Sequence, residues 1–285
     1  MSKNLERSLK DRIKAIAKAQ NRAFNDVWKA LALERFLARL ARSDKLENFI
    51  FKGGFLLGKY LRLGRETIDL DFSFTGTEGT VQAIRTLIEE ILSMPYDDGF
   101  TFEGLEVQVM SHPHMNYPGY EVRTTACLGQ TRTKIRMDLG IGDQVVPEKK
   151  TLPLLALNDK PLFESEISIQ AYPLSYIFAE KMEAVVYRGG TNSRMKDFYD
   201  LIAVSQLAEF NPREHAEVVR SVFDHRSTPL PTALSYDSEA IETMSRNWKR
   251  FIGALEEEFQ ANVPAEFAAV IEKIELLLRS LSRDY

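Results

Sequence analysis

Apolar residues recur at helical spacing over residues 3–41: Ile13, Ile16 and Ala17, then Val27, Leu31, Leu33, Phe36, Leu37 and Leu40. The spacing predicts two helical segments with Asn25 or Asp26 as the cap between them, closed by Ser43-Asp44-Lys45. A short strand, Phe49-Ile50-Phe51, runs into Lys52-Gly53-Gly54, and a helical stretch from Phe55 to Leu63 is stopped by Gly64. Thr67 to Phe74 then alternates strictly. Ile68, Leu70, Phe72 and Phe74 share one face, while Thr67, Asp69, Asp71 and Ser73 share the other. This is the clearest strand signal in the chain.

Beyond a turn at Gly76-Thr77-Glu78-Gly79, Val81 to Leu92 reads as an amphipathic helix. Three strands follow, Leu105–Met110, Tyr120–Leu128 and Thr131–Leu139, with breaks at His112-Pro113 and Pro118-Gly119. From Pro173 the pattern is helical, apart from a loop near Pro229 and Pro231. This order predicts an α+β domain with N-terminal helices over residues 1–160 and a helical domain over 161–285, parting somewhere in 147–172.

Composition adds limits. The chain has 285 residues, 44% hydrophobic and 27% charged, a size at which folding buries roughly three quarters of the unfolded surface. Cys127 is the single cysteine, so no internal disulfide forms, which suits a reducing cytoplasm. The net charge of −4 argues against a wholly basic surface for non-specific nucleic-acid binding, while leaving room for a local basic groove. No apolar run approaches the ~18 residues that span a bilayer, and Met1 to Gln20 is basic and helical rather than signal-like. The expectation is a cytoplasmic protein without membrane contact.

Asp69 and Asp71, two apart on a strand, project to one side, where their repulsion is relieved by a divalent cation; oxygen ligands select Mg2+ or Mn2+. Taken alone, such a pair is a weak signal, since most are solvated surface residues. Gly53-Gly54 opens a helix directly after a strand and offers backbone N–H groups to phosphate, or serves turn geometry alone. On the third strand Arg132, Lys134, Arg136 and Asp138 share a face. If that strand pairs beside Thr67–Phe74, Asp138 completes a three-carboxylate cluster able to hold two metals; otherwise it pairs with Arg136 or Lys134. Lys181, on the Tyr176–Arg188 helix, reaches a triphosphate as a point charge or is simply solvated. Asp197 and Asp200 lie one turn apart, and Arg194 is spaced for an ion pair with Asp197. Thr67, beside Asp69, is either a strand-propensity residue or a point where phosphate would repel metal and nucleotide. His112 and His114 lack companions for zinc, and Trp28 and Trp248 read as packing residues.

Four blocks in order resemble the AbiEii/AbiGii-type nucleotidyltransferase toxins, a family that includes the MenT toxins. They are Lys52-Gly53-Gly54-Phe55-Leu56-Leu57 with Arg65-Glu66-Thr67-Ile68-Asp69-Leu70-Asp71-Phe72, then Asp138, Glu180-Lys181-Met182-Glu183-Ala184, and Arg194-Met195-Lys196-Asp197-Phe198-Tyr199-Asp200-Leu201. The resemblance implies a polymerase-β-like nucleotidyltransferase core with a helical C-terminal domain, acting as the toxin of a toxin–antitoxin or phage-defence pair. It implies an NTP as substrate, the 3′ end of tRNA as acceptor and a cognate antitoxin. Asp69 and Asp71 would be catalytic metal ligands with Asp138 as the third, and Lys181 and Asp197 a distal catalytic pair. Lys52, Gly53, Gly54, Arg65, Thr67 and Arg194 would face the nucleotide. Rival readings are transfer to a protein or small molecule, and a binding module that retains the fold without turnover.

Overall fold

Asn21 decides where the N-terminal helical run breaks. In the computed structural model, which describes residues 3–75, 79–110 and 119–282, Asn21 adopts the left-handed region with φ 49°. It separates α1 (Lys3–Ala19) from α2 (Phe24–Arg42). The expected cap at Asn25 or Asp26 is not used: the capping position is Ala23, whose side chain bonds nothing, and Asp26 sits in the first turn. The backbone of Asn21 makes the break instead.

The chain forms two compact units, one of Met1–Leu61 and Glu66–Tyr172, the other of Arg62–Arg65 and Pro173–Tyr285. In the first unit, β1 (Phe49–Lys52) leads into α3 (Gly53–Tyr60), and β2 (Leu70–Phe74) precedes α4 (Val81–Ser93), which Thr80 caps. Then come β3 (Thr101–Met110), β4 (Gly119–Leu128), β5 (Thr131–Ile141) and β6 (Glu148–Pro153). A small hairpin of β7 (Ala156–Leu157) and β8 (Lys160–Pro161) turns through Asn158 and Asp159, both at positive φ, and β9 (Glu166–Ala171) follows. One seven-stranded sheet has the order β3-β4-β5-β2-β1-β9-β6. Strands β2 and β5 run parallel, as do β1 and β9; the other pairs are antiparallel.

Phe49, Phe51, Phe72 and Phe74 interlock on one face of β1 and β2, with ring centroids 5.2–5.4 Å apart. Phe36 of α2 packs edge-on against Phe72 from behind. Strand β2 is shorter than the alternation predicts. Lys52, the last residue of β1, lies opposite Asp71, and Gly53 then turns the chain into α3, so residues 67–69 have no β1 partner. Ile68 is therefore 48% exposed rather than in the core. Likewise α3 ends at Tyr60, short of Leu63, and Gly64 lies in the segment that belongs to the second unit. The division falls at Tyr172/Pro173 rather than after residue 160, because β9 pairs with β1 and β6. Residues 76–78 of the predicted turn, and the segment containing His112 and His114, lie outside the described residues.

The second unit is helical: α5 (Leu174–Arg188), α6 (Met195–Ser205), α7 (Ala216–His225), α8 (Ser238–Ile252), α9 (Glu257–Gln260) and α10 (Phe267–Ser282). Trp248 sits fully buried among Phe251 and Phe267 and donates its indole N–H to the Pro264 carbonyl at 2.9 Å. The segment 62–65 is tied in by Tyr199, which donates to the Leu63 carbonyl at 2.7 Å. At Gly64, φ +59°, a Cβ would fall on the Phe259 ring. Among the described residues no helix is long and apolar enough to cross a membrane.

Helix α2 buries charge that its apolar spacing conceals. Arg39 makes a two-pronged pair with Asp98 at 2.7 and 2.9 Å and also donates to the Phe100 carbonyl at 3.0 Å. Arg35 pairs with Glu164 at 2.6 Å and lies over the Phe163 ring. Glu34 accepts from Lys59 at 2.8 Å and from the Leu155 N–H at 2.9 Å. These contacts pin the helix that backs the central strands. Asp98→Ala leaves Arg39 buried without its partner and is expected to cost about 3–5 kcal/mol. Asp97→Ala, at an exposed neighbour, is expected to stay within about 0.5 kcal/mol. Urea midpoints compare the two, and equal midpoints would contradict the assignment.

Candidate active site

A row of charged side chains crosses the sheet at one level. Lys52 lies opposite Asp71, Asp71 opposite Asp138, and Asp138 opposite Glu121. Direct cross-strand partners share a face, so these four project to the side away from Phe72 and α2. The condition on which the third carboxylate depended is met: β5 pairs beside β2 in parallel and brings Asp138 next to Asp71.

The turn from β1 into α3 is built around Asp71. Gly53 has φ +76°, and a Cβ there would land on the Asp71 carboxylate, with Asp71 Cγ only 2.5 Å away. Only glycine allows this backbone to pass so close. Gly53 and Gly54 form the first turn of α3, where N–H groups lack intrahelical partners. Lys52 is held by Asp143 at 2.5 Å, and Asp143 also accepts from the Tyr172 hydroxyl at 3.0 Å.

Asp69 is placed differently from the expectation. It precedes β2, and its carboxylate is paired with Arg136. The same guanidinium lies 3.4 Å from Asp138 and 3.7 Å from Glu121. Among the described residues no group of three or more His, Cys, Asp or Glu side chains is arranged to hold a metal ion as it stands. The Arg136 guanidinium thus stands among Asp69, Asp138 and Glu121, the first two being carboxylates of the expected three-carboxylate cluster. The donor chemistry nonetheless fits a hard divalent cation. Asp71 and Asp138 are neighbours, and Asp138 Oδ1 is buried with no hydrogen-bond partner. Burial pushes the Asp138 carboxyl up to about 6, against the pull of Arg136 and with the help of Asp71 and Asp69. Burial also lowers the Lys29 ammonium, which nearby Asp69 partly offsets. Thr67 lies in the irregular stretch before β2 and is half-buried.

The second unit carries its own ion-pair network. Arg65 grips Asp200 with two prongs at 2.9 and 2.5 Å. Lys181 lies 2.7 Å from Asp200 and 3.1 Å from Asp197, and Arg194 reaches Asp197 at 3.0 Å. Burial works against the charged Lys181, but Asp200 and Asp197 outweigh it and raise the ammonium. Burial likewise opposes the Asp197 charge, yet Lys181 and Arg194 hold that carboxyl below the ordinary range. Asp197 is therefore suited to fixing Lys181 rather than to taking up a proton.

Two participants escape a reading of the sequence: Glu121 and Asp143 are brought in by strand register and side-chain reach. Asp200 and Arg136 are visible there, but their partners Arg65 and Asp69 are not. The alternation of Glu121 with Arg123 marks a polar face but gives no register, which only strand pairing supplies.

A family profile described as the nucleotidyl transferase AbiEii toxin of type IV toxin–antitoxin systems matches residues 35–273. Among solved structures, MenT4, a nucleotidyltransferase toxin from Mycobacterium tuberculosis, is similar with a TM-score of 0.56 at 19% identity, over 96% of this chain and 90% of that one. JHP933 from Helicobacter pylori aligns over 88% of this chain and 91% of its own, at 12% identity and a TM-score of 0.49. No curated protein matches the sequence. The likeness to MenT4 shows the fold, and the family match extends through both units. This chain belongs to the AbiEii family of nucleotidyltransferase toxins of type IV toxin–antitoxin systems.

Proposed function

We propose that this toxin transfers a nucleoside monophosphate from an NTP to the 3′-terminal hydroxyl of tRNA in a Mg2+- or Mn2+-dependent reaction in the cytoplasm. The observation that carries the reading is the register pair Asp71–Asp138, set against the Gly53 turn at the start of α3. Asp71 and Asp138 would hold the cation with Asp69, and the cation would supply charge stabilisation at the α-phosphate. Gly53 and Gly54 would present N–H groups to the phosphates, with Lys52 as the adjoining positive charge. The acceptor oxygen bonds to the α-phosphorus, the bond to the β-phosphate bridge breaks, and pyrophosphate leaves. Asp138, whose Oδ1 lacks a partner, is the carboxylate suited to accept the hydroxyl proton.

Activity is also proposed to need Lys181, with Asp197 and Asp200 keeping its ammonium charged. Arg65 locks Asp200 and Arg194 locks Asp197, so these arginines act through the network or on the nucleotide. The tRNA acceptor rests on the family resemblance. Thr67 is a proposed point of control by the antitoxin, since a phosphate there would set about two negative charges near Asp69.

Purified protein incubated with each labelled NTP, Mg2+ and total RNA tests the reading. Label at tRNA 3′ ends is expected, and label only in protein or small solutes would overturn the acceptor. Asp71→Asn should lower kcat/KM about a thousandfold or more, as loss of a central electrostatic group does, with the thermal midpoint little changed. Gly53→Ala should be comparably inactive, because the added Cβ displaces the Asp71 carboxylate. Gly58→Ala on the same helix, where a Cβ meets open space, should retain activity in the same assay.

A further inference from the structure

Arg136 occupies a special place among the carboxylates. Its guanidinium contacts Asp69, stands 3.4 Å from Asp138, and stands 3.7 Å from Glu121. Asp69, Asp138 and Glu121 share the Arg136 guanidinium, Glu121 also holds Arg123, Lys29 lies near Asp69, and Lys52 stands opposite Asp71. Like charges that close are costly unless a cation lies among them, and here the cation is a side chain. Arg136 is anchored in the middle of β5, yet 43% of its side chain is exposed. Its head can turn without backbone movement. Glu121 is 11% exposed, already holds Arg123 at 2.6 Å, and is the one member of the set outside the expected metal ligands.

Resting on the metal-dependent reading above, we propose that Arg136 is a resident counter-ion. It neutralises Asp69 and Asp138 until a divalent cation enters, and it is then handed over to Glu121. Arginine suits both positions, because its planar fork spans two carboxylates and its charge does not titrate away. A cation entering at Asp69, Asp71 and Asp138 competes for the oxygens that Arg136 now contacts. Glu121, opposite Asp138 in the next strand, receives the released guanidinium a short rotation away. Metal affinity therefore contains the exchange of one ion pair for another. Arg136 and Glu121 are positioning residues that act through the carboxylates.

Mn2+ binding to the full-length protein without nucleotide, followed by electron paramagnetic resonance at fixed pH and ionic strength, tests this. Wild type should bind Mn2+ and Asp71→Asn should not. Arg136→Gln should tighten binding about tenfold, the scale of one partly exposed charge-assisted contact. Arg132→Gln, a charge removed from the same strand face but paired with Glu103, should leave affinity unchanged. Glu121→Gln should weaken binding in wild type and have little further effect once Arg136 is glutamine. The inference is overturned if Arg136→Gln binds no tighter than Arg132→Gln, or if Glu121→Gln weakens binding equally in both backgrounds. Should Arg136→Gln not fold, Arg136→Lys decides: it keeps the charge but not the fork, so tighter binding supports the exchange and unchanged binding overturns it. Absence of Mn2+ binding in wild type and in Arg136→Gln alike would overturn the metal reading and this inference together. Binding that depends on Asp71 but ignores Arg136 would overturn the inference alone.

Discussion

The repulsion between Asp71 and Asp138 is the constraint around which the first unit is arranged. Parallel pairing of β2 with β5 sets the two carboxylates side by side, in a setting where burial already disfavours charge on Asp138. Such a pair persists only if positive charge or a proton is at hand. Lys52 lies opposite Asp71 at the end of β1, and Arg136, two residues before Asp138 on β5, stands 3.4 Å from it. Gly53 completes the arrangement by contributing no side chain at all.

That row of charges is held by what lies behind it. The opposite face of the same strands carries interlocked phenylalanines and α2, so each residue that faces the carboxylates alternates with one that anchors the sheet. Helix α2 is in turn fixed by buried ion pairs at Glu34, Arg35 and Arg39. Removing one partner of such a buried pair is strongly destabilising, which holds the partners to one arrangement. Here the arrangement they define is the position of the backing helix. The second unit uses the same device around Lys181, where two carboxylates and the two arginines that grip them surround one ammonium.

Much of this is legible in the sequence. Alternation from Leu70 to Phe74 identifies the central strand and its two faces, because period two is imposed by strand geometry whatever the partner. From Pro173 onward the helices are legible because apolar residues recur there at helical spacing. The mistakes have specific origins. Ile68 looks like a core residue, but β1 ends opposite Asp71, and strand length depends on partners that a local pattern does not reveal. Strand β3 starts earlier than its pattern suggests because Gly104, at φ +67°, sits in a bulge that interrupts the alternation. Apolar spacing does not disclose that Arg35 and Arg39 are buried, because their partners Glu164 and Asp98 are far away in sequence. Glu121 and Asp143 are invisible for the same reason: their significance comes from register and reach. Asp138 is the instructive middle case, since its role depended on a pairing that the sequence suggests but does not specify.

Asp71 of β2 and Asp138 of β5 are proposed to ligate one divalent cation together. Anomalous scattering at the manganese edge, from crystals grown with Mn2+ and a non-hydrolysable NTP, tests it most directly. A peak is expected at bonding distance from both Asp71 and Asp138, with a nucleotide phosphate completing the shell. A peak elsewhere, or bound nucleotide with both carboxylates away from any cation, would contradict it.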